Sequence, residues 1–177
     1  MQRVTLKDKT FVPYITSDKI QESVKQLAQK INTDLVNDEP LFLVVLNGSF
    51  MFAADLLKEV TIPCEISFIK VASYQGVSSS GAVTELIGLT ENLRGRTVVI
   101  VEDIVDTGLT IEKLVAVLTE KQVKQIKIAT ALLKTEAYTK EIKIDYVGHH
   151  IQNEFVVGYG LDYNGLGRNL KEIHILA

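Results

Sequence analysis

Between Glu102 and Thr110 the chain sets three carboxylates and two threonines within nine residues, Glu102-Asp103-Ile104-Val105-Asp106-Thr107-Gly108-Leu109-Thr110. Four apolar β-formers, Val98-Val99-Ile100-Val101, lead into the run. A helical pattern leads out of it, with Ile111, Leu114, Val115 and Leu118 on one face. A strand that enters a helix through Asp-Thr-Gly-x-Thr builds an anion site. Gly108 permits a tight turn, the amides from about Asp106 to Thr110 converge on one spot, and the helix dipole adds positive potential. Thr107 and Thr110 can donate their hydroxyls. The result is a phosphate cradle made without a lysine. Glu102 and Asp103, at the end of a buried strand, are costly unless something cationic or hydroxylated meets them. They suit sugar hydroxyls or a hydrated divalent cation. The pentapeptide alone reads as a capped helix start, with Asp106 as a candidate cap. The whole strand–carboxylate–cradle–helix block does not.

Other chemistries fail on spacing. There is no G-x-x-x-x-G-K-[ST] loop, and Gly158-Tyr159-Gly160 lacks the third glycine and the helix of a dinucleotide fingerprint. His149, His150 and His174 show no metal-ligand spacing, and no G-x-S-x-G elbow occurs. Cys64 has no evident activating partner.

The elements that must hold this block follow from periodicity. Ile20, Val24, Leu27, Ile31 and Leu35 predict a helix capped by Thr16 or Ser17. Leu41 to Leu46 is a continuous apolar run, a strand buried on both faces. Phe50 to Val60 predicts a short helix with Phe52, Leu56 and Leu57 inward. Cys64–Val71 and Val83–Gly88 predict antiparallel strands, and the polar stretch from Ser73 to Gly81 between them predicts a mobile loop. Thr97–Val101 and Ile126–Leu133 predict further strands around the helix after Thr110. Shorter strands are expected near 145–147, 155–157 and 173–176. Strand, helix, strand in this order implies right-handed crossovers and a mainly parallel sheet, with ligands at the carboxyl ends of its strands.

Composition bounds the partners. The chain has 177 residues, 46% hydrophobic and 23% charged, with net charge −3 and one cysteine. That predicts one domain over residues 1–177, α/β by the order of its elements, with no disulfide. No apolar run reaches the ~20 residues of a membrane helix. Met1 to Asp8 is mixed and polar, without the core of a secretory signal. The expectation is a cytoplasmic protein with no membrane and no nucleic-acid partner, because a mildly acidic chain repels a polyanion. A small phosphorylated ligand is a different matter, since local amides can bind it.

The block from Val98 to Thr110 resembles the phosphoribosyl-pyrophosphate signature of the type I phosphoribosyltransferases. The rest of the chain resembles their hypoxanthine (hypoxanthine-guanine) branch. The matching blocks, in chain order, are Leu46-Asn47-Gly48-Ser49-Phe50, Ser73-Tyr74, Glu102 to Thr110, Leu132-Leu133-Lys134, and Phe155 to Tyr163 with Arg168. The resemblance implies a mainly parallel twisted sheet flanked by helices. A small hood subdomain would come from the N-terminal segment and about 145–177. It implies transfer of a 5-phosphoribosyl group from phosphoribosyl pyrophosphate to hypoxanthine or guanine, with Mg²⁺.

It also implies roles. The amides of 106–110, with Thr107, Gly108, Leu109 and Thr110, take the 5′-phosphate. Glu102 and Asp103 take the ribose hydroxyls and Mg²⁺. Asp106 is the general base or acid near purine N7, in place of the Ala, Thr or Tyr that other branches carry. Lys134 donates to the purine O6, Phe155 stacks on the base, and the Val156 backbone meets its edge. Asp162 lies in the purine site and binds a second Mg²⁺. Arg168, Asn47 and Gly48 contact pyrophosphate, and a non-proline cis peptide precedes Asn47. Ser73 and Tyr74 open a flexible loop that closes over the reaction. A homo-oligomer, dimer or tetramer, is implied as well.

The chain departs from the family pattern in several places. Asn47 and Leu109 stand where basic residues are frequent. His149 to Asn153 replaces Gly-Phe-Glu-Ile-Pro-Asp, and Gly165 and Gly167 loosen the approach to Arg168. Alternatives are a phosphoribosyl-pyrophosphate-binding regulator of nucleotide genes, against which Asp106 and Lys134 stand, and a xanthine-preferring transferase.

Overall fold

A computed structural model describes residues 3–74, 83–87 and 89–177. Its main sheet has six strands: β3 (Leu41–Leu46), β4 (Glu65–Tyr74), β5 (Val83–Ile87), β6 (Thr97–Val105), β7 (Gln125–Lys134) and β8 (Tyr146–Ile151). Their order is β5-β4-β3-β6-β7-β8. The ladders from β4 across to β8 are all parallel, and β5 pairs antiparallel with β4.

The apolar run of β3 is explained by burial on both faces. Phe42 and Val44 enter one core with Val99, Val101, Phe52 and Ile31. Leu41, Leu43 and Val45 enter the other with Val98, Ile100, Ile111 and Leu114. Alternate residues of one strand thus serve opposite cores. The first core is covered by α1 (Ser17–Asp34) and α2 (Phe50–Glu59), the second by α3 (Leu109–Glu120). Thr16 caps α1, its hydroxyl accepting from Lys19 N at 3.4 Å.

A second, antiparallel sheet has the order β1-β2-β10-β9, built from β1 (Val4–Leu6), β2 (Lys9–Ile15), β9 (Val156–Val157) and β10 (Ile173–Leu176). The two N-terminal strands escaped the sequence reading because β2 contains Pro13 and carries only two fully buried apolar side chains, Phe11 and Ile15. Pro13 has no N–H for the ladder, and the register with β10 shifts between Ile173 and His174, opposite it. β8 belongs to the main sheet, so the C-terminal part of the second sheet begins at Val156, after the expected boundary near 145.

Three further boundaries differ. β6 runs to Val105, four residues beyond the expected end. β8 runs to Ile151 and takes in His149 and His150. Ser73 and Tyr74, expected to open a loop, are the last residues of β4 and pair with Thr84 and Val83. The rest of that expected loop, 75–82, lies outside the described residues. No helix among the described residues is long and apolar enough to cross a membrane.

Candidate active site

In parallel sheets of this order the connections leave adjacent strands in opposite directions at one point, and a crevice opens there. Here that point lies between β3 and β6, whose connections go to α2 on one face and α3 on the other. A cleft of about 410 Å³ opens at their carboxyl ends.

The carboxylates on its floor owe their place to a mismatch in strand length. The β3–β6 ladder ends at Val44↔Val101. β6 continues along β7 through Glu102↔Thr130, Ile104↔Leu132 and Val105↔Leu133. Beyond Val101, β6 therefore faces the cleft instead of a strand. Glu102 is 9% exposed, and its Oε2 has no hydrogen-bond partner among the described residues. Burial, then the adjacent Asp103 charge, pushes the Glu102 carboxyl well above the usual range. Burial also raises Asp103, against the opposing hydrogen bond that its Oδ1 accepts from Ile104 N at 2.9 Å. An orphaned carboxylate oxygen beside a second carboxylate fits a cation or a hydroxyl donor.

The wall from β3 is backbone. The Leu46–Asn47 peptide is cis. Asn47 is exposed and Gly48 is buried. A Cβ on Gly48 would lie 1.5 Å from Asp103 Oδ2. Gly160 packs on its other side, at φ +99°, and a Cβ there would lie 1.9 Å from the Gly48 carbonyl oxygen. Only glycine at both positions allows the 160 loop, the 48 loop and Asp103 to stack so closely. In the sequence Gly160 fits no dinucleotide motif and carries no expected role. Its signal, a glycine among matched residues, has meaning only once the facing backbone is known. Tyr159 ties this loop to α2, its hydroxyl donating to Asp55 Oδ2 at 2.9 Å.

The expected phosphate cradle adjoins the cleft as a smaller hollow of about 80 Å³, lined by residues 104–111 together with Glu102. Gly108, at φ +84°, is the N-cap of α3 and no side chain caps the helix. Asp106 is therefore not the cap. The first intrahelical bond runs from Glu112 N to Gly108 O at 2.9 Å. The amides of Leu109, Thr110 and Ile111 have no acceptor inside the helix and remain for a ligand. Thr107 is exposed and Thr110 half-buried at the same hollow, and Leu109 is 54% exposed.

At the other end of the cleft, β7 delivers Lys134. Its Nζ donates to Asp106 Oδ2 at 2.9 Å and to Asn153 Oδ1 at 3.3 Å. The lysine side chain is 12% exposed and the aspartate 48%. Asn153 was not among the expected site residues, because β8 and the bend that carries it reach Lys134 only through the sheet. Phe155 is half-exposed against Tyr163, ring centroids 5.9 Å apart and edge to face, with Phe11 6.3 Å away. Val156, buried in β9, also lines the cleft.

Asp162 and Arg168 close the fourth side. Arg168 Nη2 pairs with Asp162 Oδ1 at 2.6 Å, and its Nη1 donates to Gly160 O at 2.6 Å. Gly165 N donates to Asp162 Oδ2 at 2.6 Å. Gly165 and Gly167 have φ +85° and +98°. They let the segment turn back so that Asp162 and Arg168 meet.

Among the described residues, no three His, Cys, Asp or Glu side chains converge as a protein-only metal cage. The carboxylates on the floor and rim instead suit a hard cation that keeps several waters and takes ligand oxygens.

Comparison with known proteins agrees with this arrangement. The chain is 40% identical over 163 residues to the hypoxanthine-guanine phosphoribosyltransferase of Streptococcus pneumoniae strain R6, covering 92% of this chain and 91% of that one. It is 39% identical over 163 residues to the Bacillus subtilis protein of the same name, with the same coverage. The fold superposes on a crystal structure of a hypoxanthine phosphoribosyltransferase from Staphylococcus aureus with TM-score 0.86 and 35% identity, over 94% of this chain and 91% of that one. Residues 16–164, which hold all of the cleft lining but Arg168, the cradle and the Lys134–Asp106 pair, match the phosphoribosyl transferase domain, and the chain belongs to that family.

Proposed function

We propose that the protein transfers a 5-phosphoribosyl group from phosphoribosyl pyrophosphate to hypoxanthine, giving IMP, and to guanine, giving GMP, in purine salvage. The C1′–oxygen bond to pyrophosphate breaks and a bond from C1′ to the purine nitrogen forms. The purine's displaced proton is taken up by Asp106.

The observation that carries this reading is the pair of Lys134 Nζ and Asp106 Oδ2, 2.9 Å apart beside the phosphate cradle. A 6-oxopurine presents O6, an acceptor, next to N7 on one edge. A donor and a proton acceptor side by side complement that edge. The cradle amides with Thr107 and Thr110 hold the 5′-phosphate. Glu102 and Asp103 accept from the ribose hydroxyls, and their negative charge favours the cationic ribose as it forms. Phe155 stacks on the base, and the backbone at Val156 meets its edge. Asn47, Gly48 and Arg168 hold the pyrophosphate oxygens.

Glu102, Asp103 and Asp162 are the residues that would hold Mg²⁺, which when bound supplies charge neutralisation of the departing pyrophosphate. Asp162 belongs to the purine site as well. Under the same reading Ser73 and Tyr74 begin the segment that excludes water from the reaction. The second sheet is the hood of a single domain spanning 1–177. The protein is a cytoplasmic homo-oligomer, for which Ile66 and Phe68, each about half-exposed on one face of β4, offer apolar surface.

Steady-state turnover with phosphoribosyl pyrophosphate, Mg²⁺ and each of hypoxanthine, guanine, xanthine and adenine tests the reading. IMP and GMP are expected. No IMP would refute it, and a preference for xanthine would reassign the base. Lys134→Ala is expected to weaken hypoxanthine use by at least about ten-fold. It should also narrow the gap between oxo- and amino-purines, because an ammonium accepts no hydrogen bond and cannot satisfy the 6-amino group of adenine. An unchanged preference in that variant would remove Lys134 from base selection.

A further inference from the structure

Lys134 Nζ carries three N–H donors and no acceptor. Asp106 Oδ2 accepts one at 2.9 Å and Asn153 Oδ1 accepts another at 3.3 Å. Because an ammonium only donates, the Asn153 amide must turn its oxygen toward it, so the chemistry itself sets the amide orientation. One donor is left for an acceptor in the cleft. Asn153 lies in the bend between β8 and β9, two residues before Phe155, on the segment that forms the base end of the cleft.

The two partners differ in kind. Asp106 draws the ammonium by charge and must itself be released to handle the purine's proton. If Asp106 were the sole anchor, the lysine would follow it. Asn153 accepts from the bend after β8, away from Asp106, so it can hold the ammonium while Asp106 is engaged with the base. The lysine side chain is 12% exposed while Asn153 is exposed, so the asparagine holds the ammonium from the rim of the cleft.

We propose that Asn153 is a positioning residue for Lys134. It keeps the ammonium in place while Asp106 turns to the base, so that the remaining N–H meets the 6-oxo group, and it thereby sharpens the preference for 6-oxo over 6-amino purines. This rests on the site reading given above.

The test compares wild type, Asn153→Ala and Asn153→Asp with hypoxanthine, adenine and phosphoribosyl pyrophosphate. In Asn153→Ala the KM for hypoxanthine rises about ten-fold, as expected for one charge-assisted hydrogen bond. The hypoxanthine-to-adenine preference falls by a similar factor. The KM for phosphoribosyl pyrophosphate and the thermal unfolding midpoint stay where they were. Asn153→Asp, which keeps an oxygen at the same place, stays within about three-fold of wild type for the base. An unchanged hypoxanthine KM in Asn153→Ala overturns the proposal. So does an equal loss in Asn153→Asp, or a loss shared with phosphoribosyl pyrophosphate, since those mark a bend that merely needs asparagine. Wild type that uses none of the purines overturns the site reading and this role with it. Wild type that turns over while Asn153→Ala behaves identically overturns this role alone.

Discussion

Asp106→Asn lowers kcat for IMP formation about 10²–10⁴-fold, the range lost when a positioned general acid or base is removed, and leaves IMP binding within about three-fold. Asparagine has the same shape and still presents an oxygen to Lys134, so the 2.9 Å contact survives as a weaker hydrogen bond from the ammonium to a neutral amide oxygen. It cannot take up a proton. Ground-state contacts made by the cradle, by Phe155 and by Lys134 are untouched, so the loss falls on turnover. Because Gly108 and not Asp106 caps α3, the substitution costs the helix no cap. Steady-state kinetics with calorimetric titration of IMP separates the two effects. Equal losses in kcat and binding would make Asp106 a holder of Lys134 and nothing more.

Glu102→Gln is expected to move activity and stability in opposite directions. Its carboxyl is buried, one oxygen is orphaned, and burial with the Asp103 charge raises its pKa well above the ordinary value. A carboxyl whose pKa is raised on folding binds its proton more tightly in the folded state. It favours folding fully below the unfolded pKa, and that contribution is lost as pH rises through the raised folded pKa. At pH 7–8 the wild type thus carries a cost that glutamine, neutral at every pH, does not. The variant should be more stable by about 1–3 kcal/mol at pH 8, a rise of roughly 3–8 °C in Tm, with little difference near pH 4. Turnover should fall about 10²-fold, because an amide neither balances a forming cationic ribose nor holds a cation. Thermal unfolding from pH 4 to 8, alongside kinetics, checks both halves. A variant less stable than wild type at pH 8 would show that Glu102 is a satisfied structural carboxylate. A more stable, less active variant is the mark of a residue kept for its chemistry at the expense of the fold.

Most of what is legible in the sequence is local in origin. The helices at Ser17–Asp34 and Leu109–Glu120 follow from apolar spacing of three and four. The buried strands at Leu41–Leu46 and Thr97 onward follow from β-branched and leucine runs. The cradle follows from the glycine, the threonines and the coming helix. Each depends on neighbours within one or two turns of chain, so type and spacing are enough to see it. What is not legible there is non-local. β2 carries Pro13 and makes sense as a strand only between β1 and β10. The extra length of β6 comes from pairing with β7, not from its own composition. Ser73 and Tyr74 look like loop residues until β5 supplies their partners. Asn153 looked like a departure from a pattern, and only the sheet brings it to Lys134.

By itself, then, the sequence determined the chemistry on offer: three carboxylates, a cradle, one lysine at a strand end, and an aspartate–arginine pair six residues apart, Asp162 and Arg168. The tertiary structure alone decided how those groups are used. It leaves Glu102 Oε2 without a partner among the described residues because β3 turns away at Asn47 while β6 continues. It stacks Gly160 on Gly48 and Gly48 on Asp103. It divides the donors of Lys134 between Asp106 and Asn153. The reason is physical: a side chain's type is written at its own position, but its burial, its partners and its ionisation depend on strands that meet only when the sheet has formed.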